Sequence, residues 1–156
     1  MDKEKFDSFL SFVEDAFKRT SLEMLDFKFS KTDEDESLEE EIVCVVIGIV
    51  GINRGRIILR ASKKISEKMA EIINGEALKD LDELYLCMAE FSNIFCGKAV
   101  TYFNNKYRGT ELRLTPPAVF EGERVRISTP NIKSIIINLA STDGPVYIDI
   151  GLEGVQ

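Results

Sequence analysis

At 156 residues, 44% hydrophobic and 30% charged, the chain is expected to fold as one domain, residues 1–156, around a real core. Its net charge of −7 argues against nucleic acid as a partner, because neutralising phosphates needs clustered Lys and Arg. The absence of histidine removes His-based acid–base catalysis, Ser–His and Cys–His nucleophile pairs, phosphohistidine intermediates and nearly every familiar zinc site.

No apolar run approaches the roughly 20 residues of a membrane helix, so no membrane partner is expected. The first residues open into an amphipathic pattern and not a signal peptide, which makes the cytoplasm the expected location. Cys44, Cys87 and Cys96 have no metal spacing and are expected as reduced, buried thiols.

In chain order, Phe6, Phe9, Leu10, Val13 and Phe17 predict an amphipathic helix over residues 2–19. Alternation over 22–30 predicts a strand. An acidic loop follows, in which Asp33, Glu34, Asp35, Glu36, Glu39, Glu40 and Glu41 have no base among them. Without those seven the chain holds 20 acidic and 20 basic residues, so the excess charge is local. Residues 41–50 and 56–61 predict a hairpin around Gly51–Gly55. Ser62 is expected to cap a helix carrying Ile65, Met69, Ile72 and Ile73 that stops at Asn74-Gly75. The longest helix is expected over 81–105, then strands at 111–115, 119–129 with a turn at Glu121-Gly122, 132–140 and 146–152. Asp143-Gly144-Pro145 joins the last two as a hairpin. Helices and strands fall in runs without regular alternation, which predicts an α+β fold with a mainly antiparallel sheet covered by long helices.

Successive helical residues stand about 100° apart, which puts Leu81, Leu84, Met88, Phe91, Phe95, Ala99 and Tyr102 on one apolar stripe of the long helix. Glu90 and Asn93 fall nearly opposite, with Leu86 and Gly97. A Glu-x-x-Asn pair carries almost no information by itself. Glu71 and Asn74 form a second one, whose asparagine precedes Gly75 at a helix end and reads as a cap. Asn93 is mid-helix, where asparagine has poor propensity, and Gly97 beside it costs about 1 kcal/mol relative to alanine. Two unfavourable residues one turn apart on an outward face point to close approach by a partner.

Pro116 follows Asn93 at an offset at which Gly97 follows Asn74. With Asn93-x-x-x-Gly97-x-Ala99 and the Thr115-Pro116-Pro117 to Gly122 segment, the Glu90/Asn93 pair resembles the signature of the CheC/CheX/FliY chemotaxis phosphatases. One motif in place of two makes the chain more similar to CheX than to CheC. The resemblance implies hydrolysis of the aspartyl phosphate on a phosphorylated CheY-like response regulator, which supplies its own Mg²⁺ and lysine, while this chain carries no cofactor. It implies that Asn93 positions the water and Glu90 docks the regulator's lysine as the catalytic pair. Leu86, Gly97 and Pro116 would serve docking or structure. It also implies a homodimer formed by exchange of sheet elements, to which Ile132–Leu139 could contribute, although a buried core strand explains that apolar run equally well. Leu86 departs from the family, which commonly has Asp or Ser there. Two other readings stay open: a catalytically silent regulator-binding adaptor, and a structural module related to flagellar switch proteins.

Overall fold

The computed structural model describes residues 1–33, 41–123, 125 and 127–155. Among these are three helices and seven strands, in the order α1 (Lys3–Leu25), β1 (Ser30–Lys31), β2 (Glu41–Val50), β3 (Gly55–Ser62), α2 (Lys63–Asn74), α3 (Leu81–Lys106), β4 (Arg113–Leu114), β5 (Ala118–Glu123), β6 (Lys133–Ser141) and β7 (Gly144–Leu152). The strands form one sheet in the order β1-β6-β7-β3-β2-β4, with β5 also on β2. Every pairing is antiparallel. The expected α+β architecture is what the chain adopts.

The local signals set most boundaries. Asp2 caps α1 by accepting from the Lys5 amide at 2.8 Å. Ser62 caps α2 by accepting from the Ile65 amide at 3.2 Å. Gly75 ends α2 in the left-handed region, φ 80°, its amide donating to Glu71 O at 3.0 Å. Of the acidic stretch, 34–40 lie outside the described residues, and Glu41 opens β2 opposite Glu123.

Three expectations fail locally. Residues 22–25 continue α1 and are not strand, because Phe17, Ser21 and Leu25 follow one another at helical spacing and are all buried. Asp26 ends the helix at φ 57°. Phe27 and Phe29 then bury in extended chain, and only Ser30 and Lys31 pair with β6. Glu121-Gly122 is not a turn but lies within β5, opposite Val43 and Ile42, and the strand expected over 119–129 ends at Glu123, with 125 and 127–129 outside any strand. Gly122 is needed there for space, since a Cβ would stand 2.6 Å from Val125 Cγ2. Leu81 and Tyr102, the two ends of the apolar stripe, are exposed.

The core lies between one sheet face and the helices. Ile57, Leu59 and Ala61 of β3, Val146, Ile148 and Ile150 of β7, and Ile137 and Leu139 of β6 point into it. Phe17 on α1 holds α3 edge-on through Phe91 and Phe95, with centroids 5.7 and 5.1 Å away, and meets Phe29 at 5.0 Å.

The other sheet face carries Arg56, Ile58 and Arg60 of β3 and Tyr147, Asp149 and Gly151 of β7, all buried. The chain must cross this face to pass from β5, next to β2, to β6 beyond β7. Arg56 Nε donates to Thr129 Oγ1 at 2.9 Å, and Arg60 Nη1 to Val125 O at 3.5 Å. Gly151 leaves room for the crossing, since a Cβ would stand 2.5 Å from both Arg56 Nη1 and Ile132 Cγ2.

Phe17→Ala is expected to cost about 3–5 kcal/mol, measured by urea denaturation, because Phe17 is fully buried at the junction of α1 and α3. A loss below about 1 kcal/mol would show that α3 is held elsewhere.

Candidate functional site

α3 is enclosed on most of its circumference. Cys87 and Cys96, which a helix places on opposite sides, are both buried, as are Leu84, Met88, Phe91, Ser92, Phe95, Ala99, Val100 and Phe103. α1, α2 and the sheet supply the surroundings. What stays outward is narrow: Leu86, Glu90 and Asn93 are exposed, Gly97 is half-buried, and Leu86 reaches 69% exposure. The structure therefore puts the pair on the accessible face, together with Leu86 and Gly97.

No hydrogen bond or ion pair engages Glu90 or Asn93 among the described residues. Their groups are presented rather than spent on the fold. The Glu90 carboxylate acts on its helix neighbour: burial first, then the charge of Glu90, pushes the Cys87 thiol above its ordinary value. Burial alone pushes the Cys96 thiol up, so it stays protonated and inert.

Gly97 has space where a side chain would go, for a Cβ there would meet nothing within 4 Å. The fold itself does not need glycine at this point. Its flexibility costs the helix about 1 kcal/mol with no return in internal packing. Lys98, the next residue, is held by Glu23 of α1 at 3.3 Å and flanks the strip on that side.

Pro116 is exposed between β4 and β5, the two strands that dock in succession on the same edge of β2. Its segment is clamped by the preceding residue. The Thr115 amide donates to Gly48 O at 2.9 Å, and the Gly48 amide donates to Thr115 Oγ1 at 2.8 Å. Gly48 must lack a side chain for this, because a Cβ would stand 2.7 Å from Thr115 Oγ1. α3 packs against both β4 and β5, yet no hydrogen bond among the described residues joins Pro116 to Glu90 or Asn93.

Sequence reasoning missed Thr115 and Gly48 as the clamp, and a second tether one residue before Leu86. Burial first, and then the Glu121 carboxylate of β5 facing it, hold the Tyr85 phenol above its ordinary value. Glu121 also pairs with Lys63 at the start of α2, 3.4 Å away. Burial opposes ionisation of Glu121, but its polar neighbours Glu41, Tyr85 and Lys63 outweigh it and hold the carboxyl below the ordinary range. Neither group has a sequence pattern that announces it. The second Glu-x-x-Asn behaves as a helix end: the Asn74 amide donates to Glu76 O at 3.3 Å beside the Gly75 cap.

A family model described as chemotaxis phosphatase CheX matches residues 43–140. The chain belongs to the CheX family. The match spans α3, the Thr115-Pro116-Pro117 segment and most of the sheet. The fold is shared with solved structures at low identity. CheX from Desulfovibrio desulfuricans is 18% identical, with 93% of this chain and 99% of that one covered at a TM-score of 0.81. CheX from Vibrio vulnificus is 19% identical, with 93% and 96% covered at 0.80. A chain of the CheX–CheY–BeF3–Mg²⁺ complex from Borrelia burgdorferi is 22% identical, with 93% and 97% covered at 0.78. No curated protein sequence matches the chain significantly. Among the described residues no helix is long and apolar enough to cross a membrane.

Gly97→Ala is expected to stabilise the isolated protein by about 0.5–1 kcal/mol, read from thermal or urea unfolding. A loss of stability would mean that the fold uses the glycine for its own packing.

Proposed function

We propose that this CheX-family protein dephosphorylates the aspartyl phosphate of a CheY-like response regulator, with Asn93 and Glu90 as the working pair. The observation that carries the reading is the strip on α3: a carboxamide and a carboxylate, exposed and unspent, inside the segment that the chemotaxis phosphatase model matches. The Borrelia burgdorferi complex of CheX with CheY supports a CheY-like regulator as the partner.

Hydrolysis of an acyl phosphate needs a water in line with the breaking P–O bond and cations against the phosphoryl oxygens. The regulator's Mg²⁺ and lysine supply the cations. Asn93 contributes a carboxamide that can accept from and donate to a water without bringing charge, and so can fix its direction of attack. Glu90 pairs with the regulator's lysine and sets the depth and angle of docking. Phosphate leaves with the water's oxygen and the regulator's aspartate is regenerated. The contribution of this chain is positioning, which is why the groups stand on a helix held rigid by its core. Gly97 admits the regulator's backbone or side chains close to α3, Leu86 adds an apolar contact where relatives commonly have a polar one, and Pro116 shapes the flank through its fixed φ.

Asn93→Ala is expected to slow regulator dephosphorylation by about 10²-fold while moving stability by no more than about 0.5 kcal/mol. Phosphate release from the labelled regulator, with and without the variant, is the measurement. Glu90→Ala and Gly97→Ala should instead raise the regulator concentration needed for half-maximal rate. Undiminished hydrolysis by Asn93→Ala would remove the assignment. A wild-type protein that binds the phosphorylated regulator and leaves its lifetime unchanged would be the silent adaptor, the reading that Leu86 favours.

We also propose that the protein pairs with a second copy through β6. β1 covers only Leu139 and Ala140, so Lys133–Ile137 has no neighbouring strand on its outer side among the described residues. Ile135 and Ile136 are 40% and 41% exposed there. An open edge with apolar residues favours strand addition. Analytical ultracentrifugation should show a dimer at micromolar concentration, converted to monomer by Ile135→Lys. A wild-type monomer would dismiss the pairing.

A further inference from the structure

The outward strip of α3 brings a carboxylate to its partner and no positive charge. From Leu81 to Asn105 the helix carries Asp82, Glu83 and Glu90 as acids and Lys98 as its single base. The surface it meets is anionic at its centre, because an acyl phosphate keeps negative charge on its phosphoryl oxygens and its hydrolysis needs cations against them. The net charge of −7 on the chain also opposes the approach of an anion. A cation at the margin of the strip would offset both effects.

Lys98 has the position for this. It follows Gly97 directly and stands five residues beyond Asn93, about 7.5 Å along the helix axis. Its side chain is 37% exposed. The space above Gly97 is open, since a Cβ there would meet nothing within 4 Å, and a flexible four-carbon stem can swing across it.

In the free protein the ammonium is drawn toward α1, where Lys98 Nζ donates to Glu23 Oε2 at 3.3 Å. The Glu23 side chain is 66% exposed, and an ion pair so well solvated contributes little to stability. No other side-chain hydrogen bond or ion pair engages Lys98 or Glu23 among the described residues. The pair can therefore open without loss elsewhere in the fold.

We propose that Lys98 is a docking residue that turns from Glu23 toward the phosphoryl charge of the docked regulator. Glu23 is then the competitor that sets how readily Lys98 turns. The inference rests on the reading that the regulator docks on the α3 strip, but not on hydrolysis there. Its consequence is selectivity: the phosphorylated regulator is preferred over the unmodified one, because phosphorylation adds the charge that Lys98 meets.

The test is titration of the full chain against the regulator of the dephosphorylation assay, once loaded with BeF3 and Mg²⁺ as a stable stand-in for the phosphoryl group and once unloaded. Lys98→Met should weaken binding of the loaded form about tenfold and leave the unloaded form nearly as it was. The loss should fade at high potassium chloride, because a charge at the rim of an interface is screened. Lys98→Arg should keep most of the affinity. Glu23→Gln should tighten binding of the loaded form about threefold, and this gain should vanish in the Lys98→Met background. If the pair only braces α1 against α3, both single variants weaken binding alike, and that result overturns the inference. So does wild-type affinity in Lys98→Met, an equal loss for loaded and unloaded regulator, or an equal gain from Glu23→Gln with and without Lys98. A wild-type protein that shows the expected charge responses yet leaves the phosphate in place would remove the catalytic reading and still support this one.

Discussion

Edge-on packing of Phe17 against Phe91 and Phe95 sets the position of α3 between α1 and the sheet. An α-helix has room for one apolar stripe and one wet face. Here the burial is wider, because α1, α2 and the strands all press on α3, and even Cys87 and Cys96 on opposite sides are enclosed. The wet face shrinks to a strip about one residue wide that carries Leu86, Glu90, Asn93 and Gly97. Rigidity and presentation thus come from the same packing.

That strip contains residues a helix would avoid. Asparagine and glycine in mid-helix weaken it, and neither repays the cost in internal contacts. Enclosure elsewhere on α3 can absorb such a loss, since most helical stability in proteins comes from tertiary packing. The flanks are fixed by separate devices. The Thr115–Gly48 clamp holds the approach to Pro116, and the Glu121–Lys63 pair ties β5 to α2 beside Tyr85. On the far side of the sheet, Arg56, Arg60 and Asp149 are buried as well, with Arg56 held by Thr129 of the segment that leads to β6.

Much of this was legible in the residues. The β2–β3 hairpin, the Ser62 and Gly75 caps, the long helix and the β6–β7 pair all carry local signals, and the structure keeps them. Residues 22–25 misled because alternation over so few positions also satisfies helical spacing, and the burial of Ser21 and Leu25 decided for helix. Gly122 was misread for a related reason. Glycine marks turns through its freedom of φ, but here it serves the close approach of Val125. Leu81 and Tyr102 fit the apolar stripe by angle, yet Leu81 is the first residue of α3 and Tyr102 lies at the margin beside Phe12, 6.2 Å between ring centroids, so both stay nearly half exposed.

The composition, the helical phase of Glu90 and Asn93, and their spacing to Gly97 and Pro116 were enough to name a family and one face of one helix. Those properties are local, and local geometry is written in short-range sequence. Whether that face would be free, whether Gly97 had space above it, and which residues anchored Pro116 depended on segments distant in the chain coming together, such as Gly48 and Thr115, 67 positions apart. The same holds for the buried arginines. Nothing near Arg56 in the chain foretells Asp149, 93 positions away, because contacts between distant strands are set by the packing of the whole sheet.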